Sequence, residues 1–230
     1  MSVRALAVSG LAVAGLLLAG PVAAAQAATP TQLTGTQLAS RLLPPSSFPP
    51  GYKIVKSGTY NSGGHLEHGP VKHHLAAFSC KTYIIKGLPR TGFGETATAG
   101  SIVNKNGVGA YAQTVFQFAS SAQATTFYRQ FYAFTARCRT VTASFHGTVR
   151  LTTQSLKKTH LGRLPAFLAK QTLFATGFPA TINDTLTTVS GRDVFFIDAA
   201  GQKVPTKPAL STAVLSLVTR ILHFGPRVPA

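Results

Sequence analysis

Between Tyr111 and Phe118 the chain alternates. Ala112, Thr114, Phe116 and Phe118 fall on one side of an extended backbone, and Gln113 and Gln117 on the other. That period predicts a half-buried strand. The period then lengthens. In SSAQATTFYRQFYAFTARC, Phe127, Phe131, Phe134 and Cys138 recur at intervals of four, three and four. A helix capped by Ser120 or Ser121 gathers them into one stripe, widened by Tyr128 and Tyr132, and the stripe reads as core. Four strands are predicted next: 148–156, 166–175, 182–189 and 192–198. Ser190-Gly191 serves as a two-residue turn between the last two, which sets Asp193 opposite Thr188. Val194 to Ile197 is continuously apolar, as expected of a central strand covered on both faces. Pro208 opens a final helix with Leu210, Val214, Leu217 and Ile221 on one side, and Gly225-Pro226 ends it.

Upstream of residue 111 the pattern is weaker. Thr34 can cap a short helix carrying Leu38, Leu42 and Leu43, which Pro44-Pro45 stops. Tyr52 to Val55 reads as a short strand and 57–70 as a loop rich in Gly, Ser, Asn and His. Leu75 to Phe78 leads to Cys80, 82–85 is a further strand candidate, and 87–94 is irregular. Adjacent strands with short links imply antiparallel pairing. The expected class is α+β: an antiparallel β-sheet packed against a long amphipathic helix and a C-terminal helix, with one disulfide.

The first 27 residues read differently from the rest. Arg4 precedes an apolar run from Ala5 to Ala19, and Ala25-Gln26-Ala27 offers small residues for cleavage. This is the layout of a secretory signal peptide over 1–27, followed by a tether over 28–33, one domain over 34–225 and a tail over 226–230. The run is short for a membrane span of about 20 residues, so no integral span is expected after processing.

Charge and cysteine count narrow the partners. The chain has 22 Lys plus Arg and five acids, for a net charge of +17; loss of Arg4 leaves 21 minus 5, or +16. Such a surface attracts polyanions, which outside the cell means anionic envelope polymer or a lipid surface. No helix-turn-helix, zinc-finger or RNA-binding motif is present, so nucleic acid is not expected. Cys80 and Cys138 are the only two cysteines. An even pair in an exported chain implies a disulfide.

Candidate chemistry is sparse. GGHLEHGPVKHH holds His65, His68, His73 and His74, four of the seven histidines. Its glycines argue against a helix, and the spacing is poor for a structural zinc site, so the segment is expected to be a solvated loop without metal. The five acids form no pair by spacing. There is no G-x-S-x-G elbow and no H-E-x-x-H. Gly92 to Ala97 matches a loose G-x-G-x-x-A, but no clear amphipathic helix follows it. No cofactor and no catalytic residue is expected. LKKTHLGRLP is read as a basic hairpin tip, with Lys157, Lys158, His160 and Arg163 joined by Arg150 as candidate anion contacts.

From Leu38 onward the chain resembles the PknH-type extracellular sensor domains of actinobacteria. LASRLLPPSSFPPGY resembles their opening helix and proline-rich turn. Cys80 resembles the first family cysteine, and GVGAYAQTVFQFASSAQATTFYRQFYAFTARC the strand–helix unit ending in its partner. The run from Asp193 into the last helix resembles the closing elements. The resemblance implies a secreted, kinase-free, non-enzymatic relative that binds an unidentified ligand in a cleft. The chain departs from the family in lacking cysteines for a second disulfide. An electrostatic binder of anionic polymer or membrane, and a hydrolase with an unrecognised site, are the alternatives.

Overall fold

Val194, Phe195, Phe196 and Ile197 are all buried, and they alternate between two cores. Their strand therefore sits in the middle of a sheet covered on both sides. The computed structural model describes residues 32–61, 80, 93–105, 109–144, 148–175, 177, 179–201 and 207–223, all within the unit Thr31–Ala230. In chain order the elements are α1 (Gly35–Ala39), β1 (Lys53–Asn61), β2 (Glu95–Lys105), β3 (Gly109–Phe118), α2 (Ser121–Arg137), β4 (Thr140–Ser144), β5 (Thr148–Leu161), β6 (Leu164–Ala175), β7 (Thr181–Ser190), β8 (Asp193–Gly201) and α3 (Lys207–His223). The strands form one eight-stranded sheet in the order β1-β2-β3-β8-β7-β6-β5-β4. Every pairing is antiparallel. Among the described residues no helix is long and apolar enough to cross a membrane.

The helices lie on opposite faces. Leu38 of α1 and Leu210, Val214, Leu217 and Ile221 of α3 pack with Phe195, Ile197 and Val115. Ala124, Phe127 and Phe134 of α2 pack with Phe116, Phe118, Val194 and Phe196 on the other side. Ser120 caps α2 by accepting a hydrogen bond from the Gln123 amide at 3.2 Å. Thr34 and Gln37 cap α1 reciprocally, side chain to backbone, at 3.2 and 2.8 Å. Gly35 can only be glycine: a Cβ there would sit 2.5 Å from the Tyr60 carbonyl and 3.0 Å from that of Thr98. Helix α1 thus lies directly on β1 and β2.

Five sequence expectations change. β1 runs to Asn61, into the stretch expected to be loop, because pairing with β2 rather than burial defines it; most of its residues are exposed. β2 itself was not anticipated. Its ETATAGSIVNK is nearly all buried, yet Ala, Thr, Gly and Ser carry too little hydropathy to register as a strand. β4 was likewise missed. The glutamine side of β3 is buried, not solvated, with Gln113 and Gln117 each 1% exposed. Lastly, the β7–β8 turn is Gly191-Arg192, so Asp193 lies opposite Ser190 rather than Thr188; Gly191 supplies the left-handed residue there at φ 57°. Segments 75–78 and 82–85 lie outside the described residues.

The buried glutamines show why polar residues occupy that strand face. Gln113 accepts from the Leu43 amide at 2.9 Å and donates to the Leu43 carbonyl at 2.8 Å and to Ser101 Oγ at 2.9 Å. Gln117 Oε1 accepts from the Leu33 amide at 2.7 Å. The irregular segment around α1 has backbone groups that no sheet or helix satisfies. The two amide side chains supply the partners.

Candidate functional site

Polar side chains cross the α2 side of the sheet in a row. Thr153, Gln171 and Asn183 stand in direct register across β5, β6 and β7. One pair further on, Thr185 stands opposite Asp198 of β8. The hydrogen bonds diverge from Asn183, one branch ending at Thr153 and the other at Asp198. Asn183 Nδ2 donates to Gln171 Oε1 at 3.1 Å and to Thr185 Oγ1 at 3.3 Å. Gln171 Nε2 donates to Thr153 Oγ1 at 3.2 Å. Thr185 gives its one hydroxyl proton to Asp198 Oδ1.

The strand residues beside this row are small. Asn183 pairs with Ala200, which pairs with Ala110, and Asp198 pairs with Ala112. All three alanines are half-buried, as are Asn183 and Asp198. The aromatic contacts of α2 reach β8 at Phe196 and β6 at Phe167. Thr153, Gln171 and Thr185 are buried, so the part of the row open to solvent is Asn183 and Asp198 beside the three alanines. Desolvation pushes the Asp198 carboxyl up to about 6, opposed by its bond from Thr185. Near neutral pH it accepts hydrogen bonds, and in mild acid it can also donate one.

Among the described acids none shares Asp198's face within catalytic reach: Asp184 is close on β7 but pairs with Ala199 and projects to the α3 face. Glu95 shares its side of the sheet but pairs with Phe118, while Asp198 pairs with Ala112, six residues back along β3. At the strand rise that is ~20 Å, against the ~5–9.5 Å that paired-carboxylate glycoside chemistry uses. Asp193 alternates to the opposite face, where Gln117 Nε2 donates to its Oδ1 at 3.0 Å. Burial pushes that carboxyl up to about 6, with the Gln117 bond and then Arg192 and Arg41 working against the rise.

The raised acid at Asp193 has a testable sign. Its folded pKa lies above the unfolded value of 3.8, so the native state holds the proton more tightly. Its contribution is fully favourable below pH ~4 and is lost as pH rises through ~6. Asp193→Asn keeps the acceptor for Gln117 and removes the charge. It is expected to match the parent near pH 4 and to exceed it at pH 7 by on the order of 2–3 kcal/mol in urea titrations. Parallel pH profiles for the two proteins would refute this.

The other sequence candidates are dispersed. Lys157, Lys158 and His160 lie on β5 and not in a tip, because the turn is Gly162-Arg163 and Leu161 pairs with Leu164. Lys158 faces α2, with Nζ 4.9 Å from the centre of the Tyr132 ring. Lys157 is on the opposite face, as is Arg150, whose guanidinium lies 4.7 Å from the Phe174 ring centre. Arg163 is exposed in the turn. Cys80 and Cys138 form a disulfide with Cα atoms 5.2 Å apart. It joins the β1–β2 connection to the C-terminal cap of α2. His65, His68, His73 and His74 lie outside the described residues. The polar row itself was not foreseen, although DTLTT and DAA in sequence hint at polar and small residues replacing apolar ones on single strand faces.

This fold is similar to that of an extracellular domain solved from a mycobacterium. That domain belongs to PknH of Mycobacterium tuberculosis; the two align with a TM-score of 0.60 at 17% identity, covering 83% of this chain and 97% of that one. An uncharacterized protein of Mycobacterium smegmatis aligns over 75% of this chain and 92% of its own at 10% identity, with a TM-score of 0.36. No protein-family model matches the chain, and no curated protein sequence does.

Proposed function

We propose that this chain is an extracytoplasmic, non-enzymatic, sensor-like domain whose ligand contacts are Asn183, Asp198 and the neighbouring alanines on the α2 side, with the buried Thr153, Gln171 and Thr185 holding them in place. The observation that carries this reading is the hydrogen-bonded chain from Thr153 to Asp198 beside half-buried alanines. Polar groups aligned across four strands stabilise a fold less than apolar ones would, so a recognition role accounts for them better than packing does. Three further points agree: the leader-like first 27 residues, the disulfide, and the fold shared with an extracellular domain of a mycobacterial protein. The ligand class that fits is neutral and rich in hydroxyl or amide groups, such as saccharides or short peptides.

A thermal-shift panel of neutral saccharides and short peptides tests this. A ligand at 100 times its Kd adds about 2.7 kcal/mol, which raises Tm by on the order of 5–10 °C. Asn183→Ala is expected to abolish that shift while retaining the parent's unliganded far-ultraviolet spectrum. A panel with no stabilising compound, or one that stabilises the Asn183 variant equally, would overturn the assignment.

A further inference from the structure

We propose that the α3 side of β5, β6 and β7, beyond the cover of α3, docks against an anionic lipid bilayer. The register builds this surface. Arg150 pairs with Phe174, Ser155 with Lys170, and Lys157 with Leu168 across β5 and β6. Thr172 pairs with Ile182 across β6 and β7. Side chains at paired positions share a face, so Arg150, Lys157, Lys170, Phe174 and Ile182 all project the same way. All five are exposed, with Lys170 59% open, Phe174 36% and Ile182 47%. Asp184, the acid paired with Lys170, is buried at 5% exposure and lies 3.8 Å from the lysine. It leaves the surface net positive.

The mixture of groups selects the partner. Exposed apolar residues scattered singly need no explanation. Here Phe174 and Ile182 are diagonal neighbours within a field of cations that extends over ~20 Å of sheet. A soluble polyanion would satisfy the cations and leave Phe174 and Ile182 in water. A bilayer surface takes both kinds of group: phosphates accept from the cations, and the ring and branched side chain enter the headgroup layer. Arg150 already lies over the Phe174 ring, which holds charge and ring together at the same depth. The polar row lies on the opposite side of the sheet, so the proposal stands apart from that reading.

The test is flotation of the intact chain with phosphatidylcholine vesicles made with or without phosphatidylglycerol. Binding is expected only where phosphatidylglycerol is present, and it should fall as salt rises. Arg150→Gln with Lys157→Gln is expected to weaken partitioning about 30-fold, from the attraction typical of basic residues near anionic headgroups. Phe174→Ser should weaken vesicle binding but leave retention on dextran sulfate unchanged. Equal binding to both vesicle types, or wild-type binding by the double variant, would overturn the proposal. So would unchanged vesicle binding by Phe174→Ser, which would make the surface a site for soluble polyanions. All three positions are exposed, and an unchanged Tm for each variant certifies that folding is not what was measured.

Discussion

Replacing Cys80 and Cys138 together by alanine is expected to lower stability by about 4 kcal/mol. The estimate comes from the unfolded chain. The bridge closes a loop of 58 residues, and opening it restores the entropy of that loop to the denatured ensemble. For a domain of this size the loss corresponds to a fall in Tm on the order of 10 °C. The native side of the balance changes less. Cys138 is 2% exposed, so alanine there forfeits one buried sulfur, and the Thr142 amide still donates to the Cys80 carbonyl at 3.1 Å. Urea melts of the double variant and of parent protein treated with dithiothreitol should coincide. Their m-values should exceed that of the oxidised parent, because the unbridged denatured chain exposes more surface. An unchanged midpoint would mean that the bond contributes nothing to the folded state's advantage, and the staple at the end of α2 would lose its structural role.

How far the sequence reveals this architecture depends on which force forms each element. Where apolar burial forms it, the pattern is plain. The stripe of α2, the four residues Leu210, Val214, Leu217 and Ile221 of α3, and the apolar run of β8 all fall in the cores where their periods put them. Where backbone pairing or close approach forms it, the pattern fails. β2 is buried through alanine, threonine, glycine and serine because α1 sits on it, and Gly35 against the Thr98 carbonyl allows no larger neighbour. β1 is an exposed edge whose residues reveal nothing about the ladder they make. The candidate site was the least legible part. Gln113 and Gln117 were placed on the solvent side because glutamine is usually exposed. Only the unpaired backbone of Leu33 and Leu43 requires amides there. The row from Thr153 to Asp198 depends on the register of four strands, and one residue of shift at any hairpin would scatter it over both faces. Moving the turn from Ser190-Gly191 to Gly191-Arg192 changes each pairing by two residues and so keeps every face. It brings Asp198 into line with Thr185.

Phe127→Ala is expected to cost about 3–5 kcal/mol, comparable to loss of the disulfide and by a different route. Phe127 is 4% exposed, and its ring centre lies 5.1 Å from that of Phe118, 5.4 Å from those of Phe93 and Phe116, and 6.4 Å from that of Phe196. These neighbours belong to β3, β8 and the residues just before β2. No single one can move into the vacated space without leaving the others, so the cavity should persist and its cost add to the lost transfer energy. Phe131→Ala is the natural comparison. That residue is only half-buried, and its replacement should cost less. Phe127→Leu should fall between, since leucine refills part of the volume. Phe127 and Cys138 are eleven positions apart on one helix, ~16 Å along its axis, far enough for independent effects to add within about 0.5 kcal/mol. A triple variant lacking both cysteines and Phe127 is therefore expected to lose close to the sum of the two. A loss well short of that sum, in the same urea melts, would mean that either change alone already undocks α2 from the sheet.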